Sequence, residues 1–311
     1  MTSSVDTPGD DGYDELALLH ENVAEWDLAV TELPPVARHV FTRASGQALS
    51  YLRWGSGEPE VVFLHGGAQN AHTWDTVLLA LGVPALAVDL PGHGHSDRRD
   101  DRDYWPWANA EAVAELLDAV LPGGATVVGM SLGGVSAIHL AATRPELCHR
   151  LVLVDVTPQS SDAVRTMAGA DRGAVALVEG SPTYDSFEEM AEAAIALSPL
   201  RPASAVRRGV RHNAHRLPDG RWRWRYDLFG PWPDGARQQM DFAPLWDDVS
   251  AITVPAMLVR GGESRYVLDE DEAELRRRLP SVRVETVPGS GHAVQSDQPL
   301  ELVELLRSFI A

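Results

Sequence analysis

The sequence predicts an α/β fold with a mostly parallel, doubly wound sheet. From His39 onward, short apolar runs alternate with helical stretches, the pattern that covers both faces of a parallel sheet. Several of these runs end in glycine-containing turns, as buried strands feeding tight loops do. The 311 residues, 44% of them hydrophobic, allow one large domain or two small ones with a sizeable core.

Residues 1–12 are acidic and polar and are expected to be disordered. A helix is expected within 13–32, because Leu16, Leu19, Val23, Trp26 and Val30 recur at steps of three and four and form one apolar stripe. The first 30 residues hold eight acids and no Arg or Lys, so the opposite face is solvated. Such a stripe packs on its own domain, or, as a seam about two heptads long, against a second copy in a homodimer. "HVFTRA" (39–44) and "LSYLRW" (49–54) read as an antiparallel pair. Six core strands follow: "EVVFLHGG" (60–67), "PALAVDLPG" (84–92), "ATVVGMS" (125–131), "RLVLVDVTP" (150–158), "VPAMLVRGG" (254–262) and "VRVETVPGSGH" (282–292). Helical patterns such as "NAEAVAELLDAVL" (109–121) and "EDEAELRRRLP" (270–280) lie between most of them.

The rhythm breaks from 158 to 250, where helical stretches and a hairpin signal, "RLPDGRWRWRYD" (216–227), replace core strands. Asp219-Gly220 there is a two-residue turn signal, and Trp222 and Trp224 share one face of the second strand. This interval reads as a cap inserted between core segments 33–157 and 251–311.

Composition excludes several functions. A net charge of -19 disfavours nucleic acid and anionic membrane as partners. All 26 basic residues are arginine, which rules out a Walker P-loop and any lysine Schiff base. Cys148 is the one cysteine, so no internal disulfide forms, and a reducing, cytoplasmic setting is expected. Cys148 itself reads as a small packed residue. The N-terminus lacks the basic and apolar regions of a secretory signal, and no apolar run approaches the roughly 18 residues of a membrane span.

One motif carries chemistry. Gly129-Met130-Ser131-Leu132-Gly133 matches G-x-S-x-G, with a strand before it and the helical "LGGVSAIHLAATRP" (132–145) after it. That context makes Ser131 a nucleophile standing clear of the backbone at a helix N-terminus. A serine hydroxyl is inert at neutral pH without a base. His292, in the loop after the last strand, reaches the same sheet edge and is the expected general base. His65, His93 and His95 follow strands in turn segments and read as structural. Metal sites at His93/His95 or His212/His215 lack further ligands, and none is expected. The oxyanion donors are the backbone N–H groups of Leu132 and Gly67. Two acids compete to orient His292: Asp155, ending the strand expected beside the Ser131 strand, and Glu263, at the tip of the next core strand.

With "HGGAQNAHTW" (65–74), "DLPGHGHSD" (89–97), "GMSLGG" (129–134) and "GSGHAVQSDQP" (289–299), residues 38–311 resemble the α/β-hydrolase-fold enzymes. The resemblance implies the same serine, late histidine and oxyanion donors. It departs at the acid: the usual family position falls on Ser264 or Arg265, and neither can serve. A subset of the family, including serine-dependent zearalenone lactonases, carries its acid at the end of the strand after the elbow helix, which favours Asp155 over Glu263 here. The expected function is therefore a cofactor-free serine hydrolase of a small apolar ester or lactone, most sharply a zearalenone-like macrolactone. Tyr184, Trp222 and Trp224 are candidate pocket residues, with Phe187, Trp232 and Trp246 as further cap aromatics. A C–C bond hydrolase or cofactor-free perhydrolase of the same fold would share these residues. A small-lactone receptor with slow turnover is the alternative from another class, and would stall as a covalent adduct.

Overall fold

The structure is a computed structural model that describes residues 13–160, 183–198, 201–227 and 241–310. The tail expected to be disordered and Trp232 lie outside the described residues. The central sheet comprises β1 (Val36–Thr42), β2 (Ala48–Trp54), β3 (Val61–Leu64), β4 (Ala85–Val88), β5 (Ala125–Met130), β6 (Cys148–Val154), β9 (Ala256–Gly261) and β10 (Arg283–Val287). Their order is β1-β2-β4-β3-β5-β6-β9-β10. The β1–β2 and β2–β4 pairs are antiparallel and every other pair is parallel. All six strands expected in the core, and the antiparallel pair before them, are present.

Alternation along the strands explains why helices cover both faces. Val62, Leu64, Val127 and Leu153 point into one apolar layer, and Val61, Phe63, Val128 and Val152 into the other. The first layer is closed by α3 (Pro106–Val120), α4 (Leu132–Thr143), α7 (Leu245–Ala251) and α8 (Asp269–Arg278). The second is closed by α1 (Leu19–Glu25), α2 (Asp75–Leu81), α9 (Val294–Asp297) and α10 (Pro299–Ile310). Local chemistry agrees with these boundaries. Proline opens α3, where its missing N–H costs nothing. Four acids fill the first turn of α8 and three arginines its last, complementing the helix dipole.

The N-terminal helix is shorter than expected. Asp14 Oδ1 accepts the N–H groups of Leu16 and Ala17 in a preceding turn, and Asp27 takes φ 46° just after the helix. Leu19 is buried, and Leu16 and Val23 pack beside it on the second layer of this chain's own core. Those three stripe residues are thus covered without a second copy.

Between β6 and α7 lies the inserted segment: α5 (Phe187–Ala196), α6 (Ala203–Asn213) and the hairpin β7 (Ala214–Arg216)–β8 (Trp222–Trp224). The hairpin loop differs from the expected two-residue turn. Leu217 N–H donates to Arg221 O, enclosing Pro218, Asp219 and Gly220, and Gly220 supplies φ 88°. Tyr184, Met190, Val206, Val210 and Trp224 form a separate apolar cluster within the insert. The expected cap boundary at 250 is too late, because Phe242, Leu245, Trp246 and Val249 already pack in the first core layer. Among the described residues no helix is long and apolar enough to cross a membrane.

Candidate active site

The site is built where β5, β6, β9 and β10 end. Ser131 occupies the single residue between β5 and α4, with φ 49° and ψ −117°. A non-glycine residue held there is strained, and close packing of the neighbouring turns maintains it. A Cβ on Gly129 would lie 2.5 Å from Gly133 O, and one on Gly133 would lie 2.3 Å from Leu64 O. Only glycine lets the strand, the helix and the loop after β3 approach so closely, and Gly133 N–H donates to His65 O at 3.0 Å in that contact.

Register places Met130 opposite Val154, so Ser131 and Asp155 leave the sheet side by side. Asp155 also has positive φ, 51°, and is 0% exposed. Its Oδ1 accepts Gly261 N–H at 3.0 Å. Its Oδ2 accepts His292 Nδ1 at 2.7 Å, and the Ser264 hydroxyl donates to the same oxygen. A carboxylate with these three donors fixes the imidazole with its proton on Nδ1 and its lone pair on Nε2. The imidazole is held from its face as well: the Tyr266 ring stacks on it with centroids 3.4 Å apart and planes 6° apart. Glu263 is exposed and makes no hydrogen bond or ion pair with His292; its backbone N–H donates to Ser290 O. Of the two rival acids, the structure brings Asp155 to His292.

The Ser131 hydroxyl makes no hydrogen bond among the described residues, to His292 or elsewhere. Hydrogen bonds of this kind are often long before substrate binds. The N–H groups of Leu132 and Gly67 likewise have no hydrogen-bond partner among the described residues. Gly66, next to Gly67, runs against the serine: a Cβ on it would lie 3.2 Å from Ser131 Cβ.

Two buried histidines hold that loop. His65 Nδ1–H donates to Gly66 O at 2.7 Å, and its Nε2 accepts Leu90 N–H at 2.9 Å. His93 Nδ1–H donates to Pro91 O at 3.0 Å, and its Nε2 accepts Ala68 N–H at 3.2 Å. Each ring uses one nitrogen as donor and one as acceptor, which requires the neutral form. Burial holds both below the ordinary histidine range, and burial together with the neighbouring His65 pushes His93 down to about 3. The stability these neutral rings contribute is present above the unfolded value of about 6.5 and is lost as pH falls toward the folded value. His93 should therefore cost about 2 kcal/mol of stability between pH 7 and pH 5. Urea midpoints at the two pH values check this: His93→Asn should show the smaller drop, and an equal drop would contradict it.

Asp89, absent from the sequence-derived set, ties the loops together. It is 0% exposed, accepts Ala71 and His95 N–H groups and pairs with Arg38 at 2.6 Å. Burial opposes its charge, but Arg38 and the neighbouring donors hold its carboxyl down to about 2.

For metals, His72, Asp75 and His212 are the one group of three ligating side chains that gathers among the described residues, with ligand atoms within 4.8 Å. The two imidazoles are stacked, 3.9 Å apart and 14° from parallel. Their lone pairs lie in nearly parallel planes and cannot meet at one tetrahedral ion. His72 is instead hydrogen-bonded to both Asp75 and Glu15. Neither the His93/His95 nor the His212/His215 pair gathers a third ligand among the described residues.

A cavity of about 540 Å³ opens beside His292 and is lined by Met130, Val206, Trp224 and Tyr226 among others. Of the three candidate pocket residues, Trp224 lines this cavity. Tyr184 and Trp222 do not line it. They pair through their backbones, and Trp222 packs on Phe187 inside the insert. Trp246 is buried in the core, under the Arg278 guanidinium. Sequence reasoning also missed Ser264 and Tyr266. The one signal for Ser264 was its place where most α/β-hydrolases carry the acid.

Comparison with known proteins places this geometry. The chain is 50% identical over 300 residues to esterase Rv0045c of Mycobacterium tuberculosis, covering 96% of each. A solved structure of that esterase superposes with a TM-score of 0.83, covering 96% of this chain and 99% of that one. The chain is 30% identical over 262 residues to the sn-1-specific diacylglycerol lipase ABHD11 of Mus musculus, covering 81% of each. The model of the alpha/beta hydrolase family matches residues 61–305. With its mostly parallel sheet, its strained serine turn and these relatives, the chain belongs to the alpha/beta hydrolase family.

Proposed function

We propose that this chain hydrolyses carboxylic esters through an acyl-enzyme on Ser131. It is an ester hydrolase of the alpha/beta fold, and the observation that carries the mechanism is the 2.7 Å bond from His292 Nδ1 to buried Asp155, one strand away from Ser131. In the proposed reaction His292 Nε2 takes the proton from Ser131 Oγ as the oxygen attacks the carbonyl carbon. The carbonyl oxygen becomes an oxyanion and accepts the Leu132 and Gly67 N–H groups. The imidazolium beside Asp155 then gives its proton to the departing alkoxide. Water, deprotonated by the same nitrogen, attacks the acyl-enzyme and releases the acid. Tyr266 and Ser264 position His292 and Asp155.

A zearalenone-like macrolactone is the finer substrate proposal, and the position of Asp155 after β6 supports it. The test is steady-state hydrolysis of p-nitrophenyl esters of two to eight carbons alongside zearalenone. Multiple turnovers of the aryl esters support the hydrolase, and turnover of zearalenone supports the macrolactone. A single turnover that stalls as an adduct would contradict the hydrolase and favour a receptor.

A further inference from the structure

The cavity beside His292 has a feature that ester chemistry alone does not require. Arg201, in the connection between α5 and α6, lines its wall. No hydrogen bond or ion pair reaches its guanidinium among the described residues, and its Nε is buried without a partner. No nearby acid pairs with it directly. Asp297 Oδ2 accepts Gly291 N–H at 2.9 Å, and Glu25 is engaged by Arg208. A second cavity arginine, Arg208, is thereby ion-paired, whereas Arg201 has no direct pair and feels the charges of Asp297 and Glu25 only at longer range.

An arginine stays protonated in proteins, so this is a half-buried positive charge without a direct salt bridge among the described residues. Such a charge is costly to keep, and an arriving anion recovers the cost. Burial lowers the Arg201 pKa, which reports the same penalty. Arg201 lines the same cavity as the reacting histidine His292 and as Asp297. The wall of the same cavity includes apolar side chains, among them Leu197, Val206 and Val210.

We propose that Arg201 binds a carboxylate carried by the substrate away from its scissile bond, so that the preferred ester is a monoester of an aliphatic dicarboxylic acid. The planar fork of the guanidinium accommodates both carboxylate oxygens, and the apolar wall takes the methylene spacer. This deepens the ester-hydrolase reading and rests on it.

The test compares kcat/KM for mono-p-nitrophenyl glutarate with that for its neutral methyl ester. A second arm compares 4-acetoxybenzoate with its methyl ester, placing the carboxylate on the leaving group. Wild type should favour the glutarate monoanion, and Arg201→Gln should cut the anion-to-neutral ratio about 10- to 100-fold, the scale of one charge-assisted hydrogen bond. Arg201→Lys should restore part of it, and the exposed Arg207→Gln should leave the ratio unchanged. A preference confined to the second arm and lost in Arg201→Gln would support carboxylate binding but overturn the dicarboxylate assignment. A ratio unchanged in Arg201→Gln would overturn the proposal. Free glutarate should also compete with a neutral ester in the wild type, and no competition at tens of millimolar would count against the site even if the variants fail to fold. If no ester is turned over at all, the ester-hydrolase reading fails. Glutarate binding by calorimetry, wild type against Arg201→Gln, then still decides the anion site.

Discussion

Ser131→Ala should lower kcat for a p-nitrophenyl ester by about 10⁵- to 10⁶-fold while leaving the fold intact. The loss is large because the hydroxyl is the atom that forms the covalent bond, and no other side chain stands at the same turn. The fold should survive because the side chain makes no hydrogen bond among the described residues, and alanine removes one oxygen from a strained turn without altering its backbone contacts. Residual turnover should remain above the uncatalysed rate, since the Leu132 and Gly67 amides still polarise the carbonyl toward water. Retention of more than a few per cent of activity would remove Ser131 from the mechanism.

Asp155→Asn should cost about 10⁴-fold in kcat at neutral pH. An asparagine fits the same space, but its amide can present N–H to His292 Nδ1. The imidazole then carries its proton on Nε2 and can no longer accept one from the serine. The environment reinforces the effect: Ser264 and Gly261 both donate to Asp155, so the site is built for an anion with three donors around it. Glu263→Gln, on an exposed side chain, should change kcat by no more than about twofold. The reverse ranking would make Glu263 the acid and leave the buried Asp155 a structural residue.

Legibility in the sequence followed the range of the interactions. The core strands were visible because burial on both faces writes an apolar run into each of them. Ser131 was visible because close packing demands glycines at fixed spacing around it, and Asp155 became a candidate once strand order put β6 beside β5. Contacts made across the fold were not visible. Nothing local in "GGESRY" announces that Ser264 will donate to an acid from β6 or that Tyr266 will lie flat on His292. The apolar stripe of the N-terminal segment continues past the point where Asp27 turns the chain, so the helix ends before its hydrophobic pattern does. Tyr184 and Trp222 miss the cavity for a related reason: a shared strand face for Trp222 and Trp224 fixes direction, but only the packing of α5 and α6 decides which ring reaches the cavity.

The most direct measurement of the central claim is the site of covalent modification by a fluorophosphonate, read by intact mass and peptide mapping. The account predicts one adduct per chain, on Ser131, absent in Ser131→Ala and much slower to form in His292→Ala. An adduct on another residue, or ester hydrolysis that continues unchanged with no adduct formed, would contradict it.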